Sequence, residues 1–122
     1  MAASKKTLVL GASANPERYS NMAIQRLRSK GHSVVGIGRS HARVADVDIA
    51  TDPEPIPGLD TVTIYMNPSN QKNYYNYILA QHPRRIIFNP GAENEELSAL
   101  ARHAGIEPVE ACTLVLLTTG QY

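Results

Sequence analysis

Gly11, Ala12, Ser13, Asn15 and Arg18 follow directly on the apolar run Leu8-Val9-Leu10, and residue types in that order suit the binding of a phosphate. A Gly/Ser loop that turns an apolar strand into a helix aims backbone N–H groups outward. The helix adds the positive end of its dipole, so an anion can be held without a dedicated cation. Gly11 permits the tight turn, Ser13 adds a hydroxyl donor, and Arg18 brings a guanidinium fork that matches phosphate oxygens. Of the dinucleotide pattern G-x-G-x-x-G only the first glycine is present: Ser13 stands where the second would be, and the next glycine is Gly31. The loop is therefore a poor match to NAD-binding loops. After the second apolar run comes Gly38-Arg39-Ser40-His41. An NAD site calls for an acidic residue there to accept from the ribose hydroxyls, whereas Arg39 suits a phosphate carried on that ribose, which favours NADP or coenzyme A. Met66-Asn67-Pro68 and Asn89-Pro90-Gly91 close two later apolar runs, and Cys112 follows the last.

Residues with catalytic potential do not assemble into a constellation. His32 precedes a strand and belongs to the wrong end of a sheet, while His82 and His103 sit near helix ends, where the dipole accounts for them. Only His41 is near the expected ligand. No Cys/His pair has zinc-ligand spacing, and no G-x-S-x-G nucleophile elbow occurs. Cys112 reads either as a small buried apolar residue or as a thiol facing the ligand. No catalytic or metal-binding residue is assigned, and holding is favoured over catalysis.

The elements that must position these residues alternate. Apolar runs at 7–10, 33–37, 61–65, 85–88 and 106–110 read as strands, with a short edge strand at 45–49 and a proline-rich connection at 51–58. Helical spacing links Met22, Ala23, Ile24 and Leu27, with Ser20 or Asn21 as cap and Gly31 past the end. A second helix runs from Ser69 to about Gln81. A third is capped by Asn94, carries the stripe Leu97, Leu100, Ala101 and Ala104, and ends at Gly105. Residues 112–117 form a short helix or an apolar tail. Unbroken apolar strands alternating with helices predict an α/β, Rossmann-like, doubly wound and mainly parallel sheet of about five to six strands, with helices on both faces. In such a sheet the ligand lies beyond the carboxyl ends of the strands, where all the turns named above fall.

A chain of 122 residues predicts a single domain over 1–122, with no room for the second region that dehydrogenases use to hold substrate. Twelve Lys/Arg against eleven Asp/Glu, with no basic run, argue against nucleic acid. The start Met1-Ala2-Ala3-Ser4-Lys5-Lys6 is basic, but the apolar run after it is too short for a signal peptide, and no stretch is long enough to span a membrane. A single cysteine fits a reducing, cytoplasmic setting. Tyr74, Tyr75 and Tyr77 cannot all be buried on one helix face; core packing with ordinary surface exposure explains them, and a homodimer using Tyr75, Tyr77 and residues 114–117 is the alternative.

Four features together resemble a known family: GASANPERYSN at 11–21, MNPS at 66–69, NPGAENEELSALARHAGI at 89–106, and a cysteine shortly after the final strand. The chain resembles the small stand-alone coenzyme A-binding domain proteins, similar to the nucleotide-binding domain of the succinyl-CoA synthetase alpha subunit. The resemblance implies a Rossmann-like domain holding coenzyme A or an acyl-CoA, with phosphates near Gly11, Ala12, Ser13 and Arg18. It implies further contacts around Arg39, Met66 and the Pro90-Gly91 turn. Asn15, Ser20, Asn67, Pro68 and Cys112 complete the expected contact set. Family members often carry Asn-Pro after the second strand and Gln-Pro-Gly in the loop before the third helix, where this chain has Gly38-Arg39-Ser40 and Asn89-Pro90-Gly91. The synthetase's active histidine belongs to a separate domain, so its chemistry does not carry over. The expected function is non-catalytic binding, as sensor or carrier, with an NAD(P)-binding redox or regulatory module and a protein-interaction module as alternatives. Under oxidation, Cys112 is expected to form a mixed disulfide with coenzyme A if its thiol faces the ligand.

Overall fold

Leu8, Val9 and Leu10 point alternately to opposite faces of one sheet, and all three are fully buried. A parallel strand covered on both sides has no polar face to display, which is why its sequence is unbroken in hydrophobicity. The computed structural model describes residues 4–122; Met1, Ala2 and Ala3, the start of the basic N-terminal stretch, lie outside the described residues. The strands are β1 (Thr7–Ala12), β2 (Val34–Gly38), β3 (Ala42–Val44), β4 (Val47–Ala50), β5 (Thr61–Ile64), β6 (Arg85–Phe88) and β7 (Glu107–Glu110). They form one seven-stranded sheet in the order β3-β4-β2-β1-β5-β6-β7, parallel throughout except for the antiparallel β3–β4 pair. This is the α/β, Rossmann-like, mainly parallel architecture that the alternation predicts. The strand order reverses at β1, which puts a crevice outside the carboxyl ends of β1 and its neighbours.

Five α-helices complete the layers: α1 (Tyr19–Ser29), α2 (Pro68–Gln71), α3 (Tyr75–Ala80), α4 (Glu95–His103) and α5 (Thr113–Thr118). Ile24 and Leu27 of α1 and Leu117 of α5 pack on one face with Val9, Val47 and Ile49. Ile78 of α3 and Leu97 and Ala101 of α4 pack on the other with Leu8, Leu10, Val62, Ile64 and Phe88. Helices α1 and α4 end alike. Gly31 and Gly105 take φ of +85° and +79°, and the following residues reach back, His32 N to Leu27 O at 3.0 Å and Ile106 N to Ala101 O at 2.8 Å. Only glycine adopts that left-handed position without strain, so both helices stop where their sequences say.

Four details differ from the sequence reading. The sheet has seven strands, because residues 42–50 form a hairpin and not one edge strand. Its two-residue turn is Ala45-Asp46, with Ala45 at φ +53°, and it lacks the glycine or asparagine that announces such a turn. The 69–81 helix is split into α2, a 3₁₀ turn at Lys72–Tyr74, and α3. Ser20 and Asn21 are buried inside α1 and do not cap it; the cap position is Arg18. Leu100 is 40% exposed, and Ser98 takes its place in the buried stripe of α4. No helix among the described residues is long and apolar enough to cross a membrane.

Candidate functional site at the carboxyl edge of the sheet

The end of β1 is built around Gly11. Leu10 pairs with Ile37 but Ala12 pairs with Gly38, so Gly11 is an extra residue bulged out of the ladder at φ +93°. A Cβ there would stand 2.9 Å from the Tyr65 carbonyl oxygen, and one on Gly38 would stand 2.2 Å from the Ala12 carbonyl oxygen. Both positions require glycine, because backbone approaches backbone where β1, β2 and β5 run out. Tyr65 N donates to Leu10 O at 2.8 Å and locks the same corner.

The loop that follows is shaped by its own side chains. Ser13 Oγ accepts from Asn15 N at 3.1 Å, Asn15 Oδ1 accepts from Glu17 N at 3.0 Å, and Arg18 N donates to Asn15 O at 3.0 Å. From α1, Asn21 Nδ2 donates to Ser13 O at 3.0 Å and ties loop to helix. Ser13 thus uses its hydroxyl as an acceptor and keeps its own hydrogen free to donate. Among the described residues, the N–H groups of Ser13 and Ala14 find no acceptor. The start of α1 is equally open: Arg18 contributes no side-chain cap, and the first turn carries no acidic residue. By contrast, Asn67 caps α2 by accepting from Asn70 N at 2.9 Å. Asn94 caps α4 by accepting from Leu97 N at 3.1 Å, with Glu95 and Glu96 in that first turn. The exposed N–H groups at α1 suit its N-terminus to an external anion; α5 also lacks a side-chain cap and an acid in its first turn, but its Thr113 N is taken by Asn89.

Among the described residues, two arginines stand at this edge without an acid, as Arg26 and Arg102 do elsewhere on the surface. Arg28, Arg43 and Arg84 pair with Asp46, Asp48 and Asp60. Arg18 and Arg39 are exposed and make no ion pair among the described residues. Arg39 follows Gly38 directly, one strand away from the β1 loop.

Two buried networks, which the sequence reading did not single out, hold the remaining loops. Asn89 Nδ2 donates to Thr63 Oγ1 at 2.7 Å and Ile64 O at 2.9 Å, while its Oδ1 accepts from Thr113 N at 2.9 Å. Gln71, fully buried, donates through Nε2 to Met66 O and Ala92 O, both at 2.8 Å, and accepts from Asn94 Nδ2 at 2.9 Å. The loops after β5, β6 and β7 are thereby fixed to one another by fully satisfied polar groups. The Tyr65 hydroxyl is the exception: it is buried with no hydrogen-bond partner among the described residues, and burial pushes its pKa up to about 12.

The structure brings most of the expected residues to this one edge. Gly11, Ala12, Ser13, Asn15 and Arg18 line the end of β1; Met66, Asn67 and Pro68 follow β5; exposed Pro90 and Gly91 follow β6; half-buried Cys112 follows β7. Ser20 is the outlier, its side chain 3% exposed inside the first turn of α1. His32 lies at the opposite edge. The tyrosines are half-buried: Tyr75 Oη accepts from Asn94 Nδ2 at 2.8 Å, and the Tyr77 hydroxyl donates to Glu54 O.

Comparison with known proteins agrees with this architecture. A solved structure of an uncharacterized protein is 49% identical, with a TM-score of 0.96 over 99% of this chain and 100% of that one. A hypothetical protein from Pyrococcus horikoshii OT3 shares the fold at 24% identity, TM-score 0.82, over 92% of this chain and 80% of the other. An oxidoreductase from Bacillus cereus shares it more distantly, at 16% identity and TM-score 0.61, with 87% of this chain covering 34% of that one. No curated protein matches. Residues 5–118 match the CoA binding domain, and the chain belongs to that family.

Proposed function

We propose that the carboxyl edge holds coenzyme A or an acyl-CoA, with its phosphates over residues 13–18 and the first turn of α1. The observation that carries this reading is the open N-terminus of α1 behind the Gly11 bulge, in a molecule that caps α2 and α4 with asparagine. The donors there fit the ligand: free backbone N–H groups for a pyrophosphate, with Arg18 and Arg39 for its charge and for the phosphate on the ribose. Coenzyme A itself would supply a thiol and its acyl ester. The chain's part is to bind and orient, since its buried polar side chains at this edge, Asn89, Gln71 and Asn94, are engaged in fixing loops. On this reading the chain holds its ligand without converting it, as sensor or carrier.

Arg39 keeps NADP as the second reading, because the same guanidinium suits a ribose 2′-phosphate. Titration calorimetry against coenzyme A, dephospho-coenzyme A, NADP and NAD separates the two. The expected result is binding of coenzyme A, with dephospho-coenzyme A about tenfold weaker for loss of a charge-assisted contact. NADP binding in the absence of any heat with coenzyme A or short acyl-CoAs overturns the proposal.

A further inference from the structure

At the amino edge, the end of the strands remote from the loops just described, Tyr122 closes over three basic groups. Arg85 opens β6 and is 7% exposed. Its Nε donates to Thr61 Oγ1 at 2.9 Å, its guanidinium carbon lies 4.3 Å from the centroid of the Tyr122 ring, and its Nη2 is buried with no acceptor among the described residues. Lys5 Nζ stands 5.6 Å from the same centroid and donates to the Tyr122 backbone oxygen; the His32 ring is 5.0 Å away. Lys5 N donates to His32 Nδ1 at 2.9 Å, so Nε2 of the neutral ring carries the proton and is a further donor. The Thr7 and Tyr122 hydroxyls are hydrogen-bonded to each other. Asp60, the acid that acts on this group, is already paired with Arg84 at 3.2 Å.

An arginine buried this far is ordinarily matched by a carboxylate. Here a ring face stands in that place. It attracts the cation but offers no lone pair in the plane of the fork, which is why Nη2 is left unmet. Burial and mutual repulsion also hold Lys5 and His32 below their usual pKa values.

We propose that Tyr122 plugs a latent oxyanion site, in which Arg85, Lys5 and His32 take a phosphate-class dianion when the tail lifts. Two fixed cations, Lys5 and Arg85, match a dianion in charge. The guanidinium Nη2, the ammonium and the imidazole Nε2–H supply the donors, since the hydroxyl hydrogens of Thr61 and Thr7 go to Asp60 Oδ1 at 2.6 Å and Lys5 O at 2.9 Å. The tail is short and exposed up to Tyr122: α5 ends at Thr118, residues 118–121 are exposed, and Gly120 at φ +72° closes the helix as Gly31 and Gly105 close α1 and α4. Besides the contacts of Tyr122, two backbone bonds, Thr119 N to Val115 O at 3.0 Å and Gln121 N to Leu116 O at 2.8 Å, secure it. This site is independent of the coenzyme A reading, since it lies at the other end of the strands.

The test is NMR titration with inorganic phosphate against sodium chloride at matched ionic strength, read at the Arg85 Nε–Hε and His32 ring signals. Tyr122→Ala is expected to give saturable shifts at both, at about tenfold lower phosphate than the unaltered chain. Adding Arg85→Gln is expected to abolish them. Should the alanine variant not fold, Tyr122→Leu keeps an apolar plug, removes the π face, and is expected to shift the same signals. Shifts confined to residues 13–20 report phosphate at the opposite edge and overturn the proposal, as does the lack of any saturable change at Arg85.

Discussion

The two ends of the parallel sheet treat charge in opposite ways. At the carboxyl edge, neutral backbone donors are left open at α1, two arginines stand exposed and unpaired among the described residues, and the buried polar side chains are satisfied by one another. At the amino edge the cations are withdrawn beneath Tyr122, and one arginine nitrogen has no acceptor. Open dipoles on a rigid frame receive an external anion at little reorganisation cost. Buried charges held by a ring face resist solvent until the ring moves. On the proposed reading, ligand exchange without structural change belongs to the carboxyl edge.

The frame of that edge is the first thing to break. Gly38→Ala drives a Cβ to 2.2 Å from the Ala12 carbonyl oxygen, and neither strand can yield without losing ladder bonds. A loss of about 3 kcal/mol is expected in urea unfolding. Asn89→Ala leaves Thr113 N without its acceptor and Ile64 O without a donor, and separates the loops after β5, β6 and β7. The cost is about 2 kcal/mol of stability, with weaker coenzyme A binding measured at a temperature where the variant is fully folded.

Arg18→Asp inverts the contrast between α1 and α4. It supplies the missing side-chain cap and an acid at the positive end of the dipole, so the chain is expected to gain about 1 kcal/mol in thermal unfolding. The same carboxylate occupies and repels, and coenzyme A affinity is expected to fall more than about tenfold. Stability and affinity moving in opposite directions is the signature; a parallel loss of both contradicts the open-terminus account.

The smallest effect concerns the amino edge. Burial, then Lys5 and Arg85, hold His32 below its ordinary pKa. The unfolded chain consequently takes up a proton at this residue before the folded one does. The stabilisation is complete above the unfolded value of about 6.5 and is lost as pH falls from there toward the lowered folded value. His32→Gln is expected to flatten that part of the stability–pH curve and to leave coenzyme A binding unchanged.

Legibility in the sequence followed the range of the interaction. The Asn94 cap, the Gly105 stop and the strand at Arg85–Phe88 were read correctly because each is set by residues within a few positions. The Ala45-Asp46 hairpin was missed because its turn uses alanine at positive φ without a glycine signal. Gln71 and Asn89 could be seen only as residues near turns, since their bonds reach across 21 to 26 positions. Arg85 read as the first residue of a strand; nothing local announces that residue 122 covers it. The charge of Arg18 is plain in the sequence, but the absence of a cap above α1 is a property of the folded chain alone.

The most direct test of the central claim is a coenzyme A titration followed through backbone amide signals. The account predicts saturable shifts at Ser13, Ala14, Tyr19 and Ser20, with the capped first turn of α4 at Glu95 and Glu96 unmoved. Binding that leaves residues 13–20 unchanged would contradict it.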